Sequence, residues 1–180
     1  GRHVAARVRL VDDHDAAGLL AAGGEGVEGL GAEHRHVPAE DEHGLPPGYL
    51  LRPMTVWDIP EVLAHEATLF PLDAWPAHFY EEELAQTGPA GGRDAHGRPP
   101  TRDYRVVVRD VAAPGSTDDD GPAPGEIVGY GGIMVVGDVA DVQTVGTVAA
   151  AQGRGIGASQ LRWMAAEAAA RGASSLMLEV

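Results

Sequence analysis

The sequence contains no cysteine and no lysine, and all 13 of its basic residues are arginine. Without cysteine there can be no disulfide, thiolate metal ligand, catalytic thiol or enzyme-bound thioester. Without lysine there is no Schiff-base chemistry, no attachment point for pyridoxal phosphate and no Walker phosphate loop. Long apolar runs are also missing, since none approaches the roughly 20 residues that cross a bilayer. No charged start followed by an apolar core marks a signal peptide, so a membrane is not an expected partner and the cytoplasm is the expected location. The first residue is Gly1, which leaves room for a start further upstream. Positive charge is scarce, and the formal net charge is -14. Phosphate contacts need a cationic surface, so direct nucleic-acid binding is not expected. A basic peptide suits this charge better, although acidity also serves solubility alone.

A chain of 180 residues has room for one ordinary domain, or one domain with a tail. Residues 1–48 are rich in Gly, Ala, Asp, Glu and His and read as a flexible, disordered extension, with brief order suggested at Val8-Arg9-Leu10-Val11 and Ala16–Ala22. His34-Arg35-His36, with Glu33 and Glu40 nearby, raises a metal reading, but no cysteine and no rigid element supports it. No metal is expected.

The domain proper is expected over 49–180. Tyr49–Pro53 reads as a short strand, and Thr55 with Asp58 has the spacing of a capping box at a helix start, where Pro60 is tolerated. Ile59, Val62, Leu63 and Phe70 recur at helical spacing. A second helix is predicted over Ala77–Gln86, and the Gly-, Pro- and Arg-rich residues 87–101 read as an exposed loop. Strands are predicted at Tyr104–Arg109, Glu126–Val136 and Asp141–Val148, the last two joined by a Gly137-Asp138 turn. Gly155–Arg171 reads as a helix with Leu161, Met164, Ala165 and Ala168 on its buried stripe and Gly172 as its stop. Ser174–Val180 begins a further strand. Strand, helix, helix, three strands, helix, strand implies a mixed sheet in an α/β (α+β) fold.

The informative junction is the Gly-rich turn that opens the last helix. Such a turn presents unpaired backbone N–H groups at the positive end of the helix dipole. Gly153, Gly155 and Gly157 allow close main-chain approach, and Arg154 adds a charge suited to phosphate. A glycine loop selected only for tight packing is the competing reading. The G-x-G-x-x-G spacing of a dinucleotide site is absent.

Gln152-x-x-Gly155-x-Gly157 resembles the Q/R-x-x-G-x-G/A signature of the GNAT acetyltransferases, and Asp141-Val142-Gln143-Thr144-Val145 resembles the strand that precedes it there. Leu51-Arg52-Pro53-Met54, Trp57-Asp58-Ile59-Pro60, Leu69-Phe70 with Trp75, and Leu178-Glu179-Val180 resemble the RimI-like branch, the ribosomal-protein-alanine N-acetyltransferases. The resemblance covers about residues 50–180 and implies a GNAT acyl-CoA N-acyltransferase fold that uses acetyl-CoA and no metal. It further implies that the backbone of Val145, Gly146 and Thr147 pairs with the pantetheine arm. Gln152, Gly153, Arg154, Gly155, Ile156, Gly157 and Ala158 would hold the pyrophosphate, and Glu179 would be the general base. Gly146 within a β-branched strand suits a bulge, and a packing role is its alternative.

The family pattern continues with an Asn, a Tyr that serves as acid toward the departing thiolate, and two more strands. The chain is therefore expected to be cut short at its C-terminal end and impaired in turnover. Val148-Ala149-Ala150-Ala151 replaces the family's usual Pro-containing turn. The activity implied is acetyl transfer to the α-amine of a protein N-terminus, that of an alanine-starting ribosomal protein, by direct attack in a ternary complex. An α-amine with a pKa near 8 is partly neutral at physiological pH, whereas a lysine near 10.4 is about 0.1 % neutral, so an N-terminus needs only modest help from a base. Acetylation of a small-molecule amine, or a noncatalytic acyl-CoA-binding module, are the alternatives.

Overall fold

The computed structural model describes residues 5–9, 43–110 and 125–179. Six strands form one sheet in the order β1-β6-β5-β4-β3-β2. The elements are β1 (Ala5–Arg9), β2 (Tyr49–Pro53), α1 (Ile59–Leu69), α2 (Ala77–Leu84), β3 (Arg102–Arg109), β4 (Ile127–Val136), β5 (Val139–Thr147), α3 (Ile156–Ala170) and β6 (Ser175–Glu179). Strands β2 to β5 run antiparallel in succession. The crossover through α3 returns β6 parallel to β5, and β1 lies antiparallel on the far edge of β6. The mixed sheet and the predicted element order are thus both present.

Some boundaries differ from the sequence reading. β1 lies inside the stretch read as a flexible extension, and residues 10–42, with the His34 and His36 pair, lie outside the described residues. Ordered packing begins before Tyr49. Leu45 is buried against Val107, Val128, Ala151 and Ile156, and the carbonyls of His43 and Gly44 accept hydrogen bonds from Arg162 and Ser159 of α3. The stretch 87–101 is tied down as well. Asp94 accepts the N–H groups of His96 and Arg98, and Arg171 donates to the carbonyls of Gly88 and Pro100.

The two faces of the sheet carry different layers. On one, Tyr104, Val106 and Tyr130 pack with Ile59 and Val62 of α1 and Tyr80 of α2. On the other, Ile133, Val135 and Ala140 pack with Trp163, Met164 and Ala168 of α3. The buried side of α3 is Ile156, Ser159, Gln160, Trp163, Met164 and Ala168. Leu161 and Ala165, placed on that stripe by sequence, are half-buried at its margin. Likewise Phe70 ends α1 with 38 % of its surface exposed, because the helix terminates there and the chain turns away. The predicted Thr55–Asp58 box opens α1. The Asp58 carboxylate accepts the Thr55 N–H and both guanidinium nitrogens of Arg52 at 2.7–2.8 Å. Burial alone would raise the Asp58 pKa, but the Arg52 and Thr55 bonds hold it below the usual carboxylate value.

Candidate functional site

Period-2 alternation and β-branched residues make β5 a strand, but its pairing is uneven. It is bonded to β4 up to Thr147, with Gln143 inserted as a bulge where the register shifts between Gly132 and Ile133. It is paired with β6 only at Val139–Ser175, Ala140–Leu176 and Asp141–Met177. Beyond Asp141 the two parallel strands part, so the β6-facing edge of Val142–Thr147 has no strand partner among the described residues. An unpaired strand edge offers N–H and C=O groups to an extended ligand. Val145, Gly146 and Thr147 lie on that edge, and Glu179 is the last residue of β6, two positions beyond the final pair.

The bulge was expected at Gly146 and occurs instead at Gln143. Gly146 has a packing reason: a Cβ there would lie 2.6–2.7 Å from the ring and hydroxyl of Tyr130. Its carbonyl accepts Gln160 Nε2 at 3.2 Å, and the same amide reaches Thr147 Oγ1 at 3.2 Å. Gln152 Nε2 donates to the Thr147 carbonyl at 3.0 Å. Two glutamines thereby join the open edge of β5 to the turn that starts α3.

That turn has the geometry an anion requires. Gly153 and Gly155 have φ of 74° and 88°, and a Cβ on either would meet nothing within 4 Å. Gly155 is the N-cap of α3 in the left-handed region, which only glycine occupies without strain. The first bond of the helix runs from the Ser159 N–H to the Gly155 carbonyl. The N–H groups of Ile156, Gly157 and Ala158 precede it, at the positive end of a 15-residue helix. Arg154 stands exposed between the two glycines. The sequence-predicted residues 145–147 are thus tied by hydrogen bonds to Gln152 and to Gln160 at the start of α3, and Glu179 ends β6 beyond its last pair with β5.

Sequence reasoning missed the polar cluster on the opposite side of β5. Glu66 of α1 is 1 % exposed. Its Oε1 accepts Tyr80 Oη at 2.7 Å and Thr144 Oγ1 at 3.1 Å. No cation pairs with it among the described residues. Burial, with the neighbouring Glu66 carboxylate, drives the Tyr80 and Tyr130 phenols far above their ordinary values, so both remain protonated. A signal was present: Glu66 occupies the place in the Ile59, Val62, Leu63, Phe70 stripe where helical spacing calls for an apolar residue. Beside this cluster, a depression of about 300 Å³ is lined by Trp75, Phe79, Glu82, Glu83 and Gln143.

A mixed sheet whose strands part beside a glycine-opened helix defines an acyltransferase-type fold. Residues 73–180 match the model of the acetyltransferase (GNAT) family, and the chain belongs to that family. Among solved structures it is similar to a GCN5-related glucosamine N-acetyltransferase region of a fungal multi-domain β-N-acetylglucosaminidase, with a TM-score of 0.53 and 14 % identity over 74 % of this chain. It is also similar to the ribosomal-protein-S18-alanine N-acetyltransferase of Escherichia coli (TM-score 0.50, 16 % identity, 73 % of this chain). A third likeness is to glucosamine-6-phosphate N-acetyltransferase from Arabidopsis thaliana (TM-score 0.51, 12 % identity, 73 % of this chain and 82 % of that one). The chain spans 14 % of the fungal protein and 66 % of the Escherichia coli enzyme. These likenesses support the fold. No curated protein matches the chain. Enzymes of the family use acetyl-CoA, and no helix among the described residues is long and apolar enough to cross a membrane.

Proposed function

We propose that this protein transfers an acetyl group from acetyl-CoA to the α-amine of a protein N-terminus, that of an alanine-starting ribosomal protein in the cytoplasm. The observation that carries the donor half is the parting of β5 from β6 directly beside the glycine-opened start of α3. The pantetheine arm would add to the open edge at Val145, Gly146 and Thr147. The pyrophosphate would rest on Gln152, Gly153, Arg154 and Gly155 and on the N–H groups of Ile156, Gly157 and Ala158. The acceptor half rests on the resemblance of Leu178-Glu179-Val180 and the α1 region to alanine-specific enzymes.

In this reading the amine attacks the thioester carbonyl directly in a ternary complex. The C–N bond forms, backbone N–H groups of β5 stabilise the oxyanion, and the C–S bond breaks with loss of thiolate. Glu179 takes the nitrogen's proton through water.

Calorimetric titration with acetyl-CoA tests the donor site. The wild type should bind saturably, and Arg154→Glu should weaken binding about tenfold or more, since a charge-assisted phosphate contact is replaced by repulsion. Equal affinity in the two proteins would remove the pyrophosphate assignment. Glu179→Gln separates an enzyme from a noncatalytic acyl-CoA module: in an enzyme it should abolish transfer to an alanine-starting peptide and leave acetyl-CoA binding unchanged.

A further inference from the structure

A carboxylate without a cation is costly to bury, by several kcal/mol. Glu66 is nevertheless buried, on the α1 side of the strand segment whose other edge is open. A second cost stands next to it. The Tyr130 hydroxyl is fully buried and has no hydrogen-bond partner among the described residues, although the Glu66 carboxylate faces it. It lies over Gly146, where a Cβ would stand 2.7 Å from its oxygen. Packing needs neither feature. A glutamine would accept the Tyr80 and Thr144 bonds equally well, and a phenylalanine would fill the place of Tyr130. Both residues converge on Thr144 and Gly146, the two sides of Val145 in the proposed donor strand.

The cluster also lies near the surface. Thr144 is only half-buried, and the adjoining bulge residue Gln143 lines the depression walled by Trp75 and Phe79. Trp75 packs on Tyr80 at 5.6 Å between ring centroids, and Tyr80 donates to Glu66.

We propose that Glu66, acting through the hydroxyl of Thr144, is a receptor for the positive charge of the acceptor's amine. The inference rests on the acyl-transfer reading and deepens it by naming the residue that receives the cationic amine, which would enter past Trp75 and Phe79. The amine arrives as an ammonium, gives one proton to water before it attacks, and its nitrogen becomes cationic again when the tetrahedral adduct forms. A fixed negative charge behind that hydroxyl in a low-dielectric setting favours both cationic states. Glu66 is in this sense a positioning residue. The half-buried Thr144 oxygen would touch the nitrogen.

The test measures binding of an alanine-starting peptide, and of the same peptide with its N-terminus acetylated, to the CoA-saturated chain. Glu66→Gln keeps the oxygen that accepts from Tyr80 and Thr144 and removes only the charge. It should weaken binding of the free-amine peptide about tenfold or more, leaving the acetylated peptide and CoA itself unaffected. Equal loss for both peptides, or none, would make Glu66 a structural residue and overturn the inference while the acyl-transfer reading stands. Failure of the wild type to bind CoA overturns the donor assignment. Failure to bind the free-amine peptide once CoA is bound overturns the acceptor reading and this inference with it. If Glu66→Gln fails to fold, Thr144→Val, which deletes the half-buried hydroxyl bonded to Glu66, should show the same amine-selective loss, and wild-type affinity in that variant would count against the proposal.

Discussion

Replacing Gly155 with valine should cost acetyl-CoA affinity about 100-fold or more, because two or more charge-assisted N–H bonds worth roughly 1.5–3 kcal/mol each depend on that residue's conformation. The backbone at Gly155 has φ 88° and ψ 1°. A β-branched residue there carries strain of about 1–3 kcal/mol. Nothing in the protein blocks a side chain, since a Cβ at 155 meets no atom within 4 Å. The fold should therefore survive, with the strain relieved by rearranging the turn. The N–H groups of Ile156, Gly157 and Ala158 would then no longer converge, and the added methyls would stand in the space a phosphate must enter. Asparagine tolerates the left-handed region better than valine, so Gly155→Asn should retain more of the binding. Calorimetry on the three proteins, with thermal melts as a check on folding, decides this. Wild-type affinity in the valine variant would mean that the turn is a packing device and not an anion site.

Alanine at Gly146 should lower stability by about 1–3 kcal/mol, an overpacking cost, and should also weaken acetyl-CoA binding. The contrast with Gly155 is instructive, because here the backbone is ordinary strand and the obstacle is a neighbour. The new methyl would lie within 2.6–2.7 Å of three Tyr130 atoms, and Tyr130 is fully buried with no room to yield. The relief available is displacement of β5 from β4, which moves the edge that Gln160 holds through the Gly146 carbonyl and Thr147 hydroxyl. Denaturant unfolding of Gly146→Ala, Tyr130→Leu and the double variant reads the coupling. The double variant should be clearly more stable than the sum of the two single losses. Additive losses would show that the ring and the glycine are not the interacting pair.

The legible parts of this protein were those fixed by local rules. A run of three valines marked β3, and a longer apolar run with both faces nonpolar marked β4. The Gly137-Asp138 turn fell where predicted, with Val136 paired to Val139 across it. The Thr55–Asp58 box formed at the start of α1. Of the three glycines read as allowing close main-chain approach, Gly153 and Gly155 adopt positive φ. Helix ends and helix faces were read less well. Trp163 and Gln160 are fully buried without having been placed on the stripe, while Leu161 and Ala165 pack at its margin, since the strands beneath α3, not its own periodicity, decide which 100° of its surface is covered.

The sequence by itself determined what chemistry is open to the chain, the order of its elements and the turn that opens α3, because these follow from residue type and from neighbours a few positions apart. Only the tertiary structure decided where β5 leaves β6, why Gly146 must lack a side chain, and that Glu66 is buried among hydroxyls. The bond from Thr144 to Glu66 spans 78 positions and that from Tyr80 to Glu66 spans 14. A carboxylate on a helix carries no mark of the medium it will occupy; that medium is made by the strands and helix that fold over it, and with it the strength of the charge.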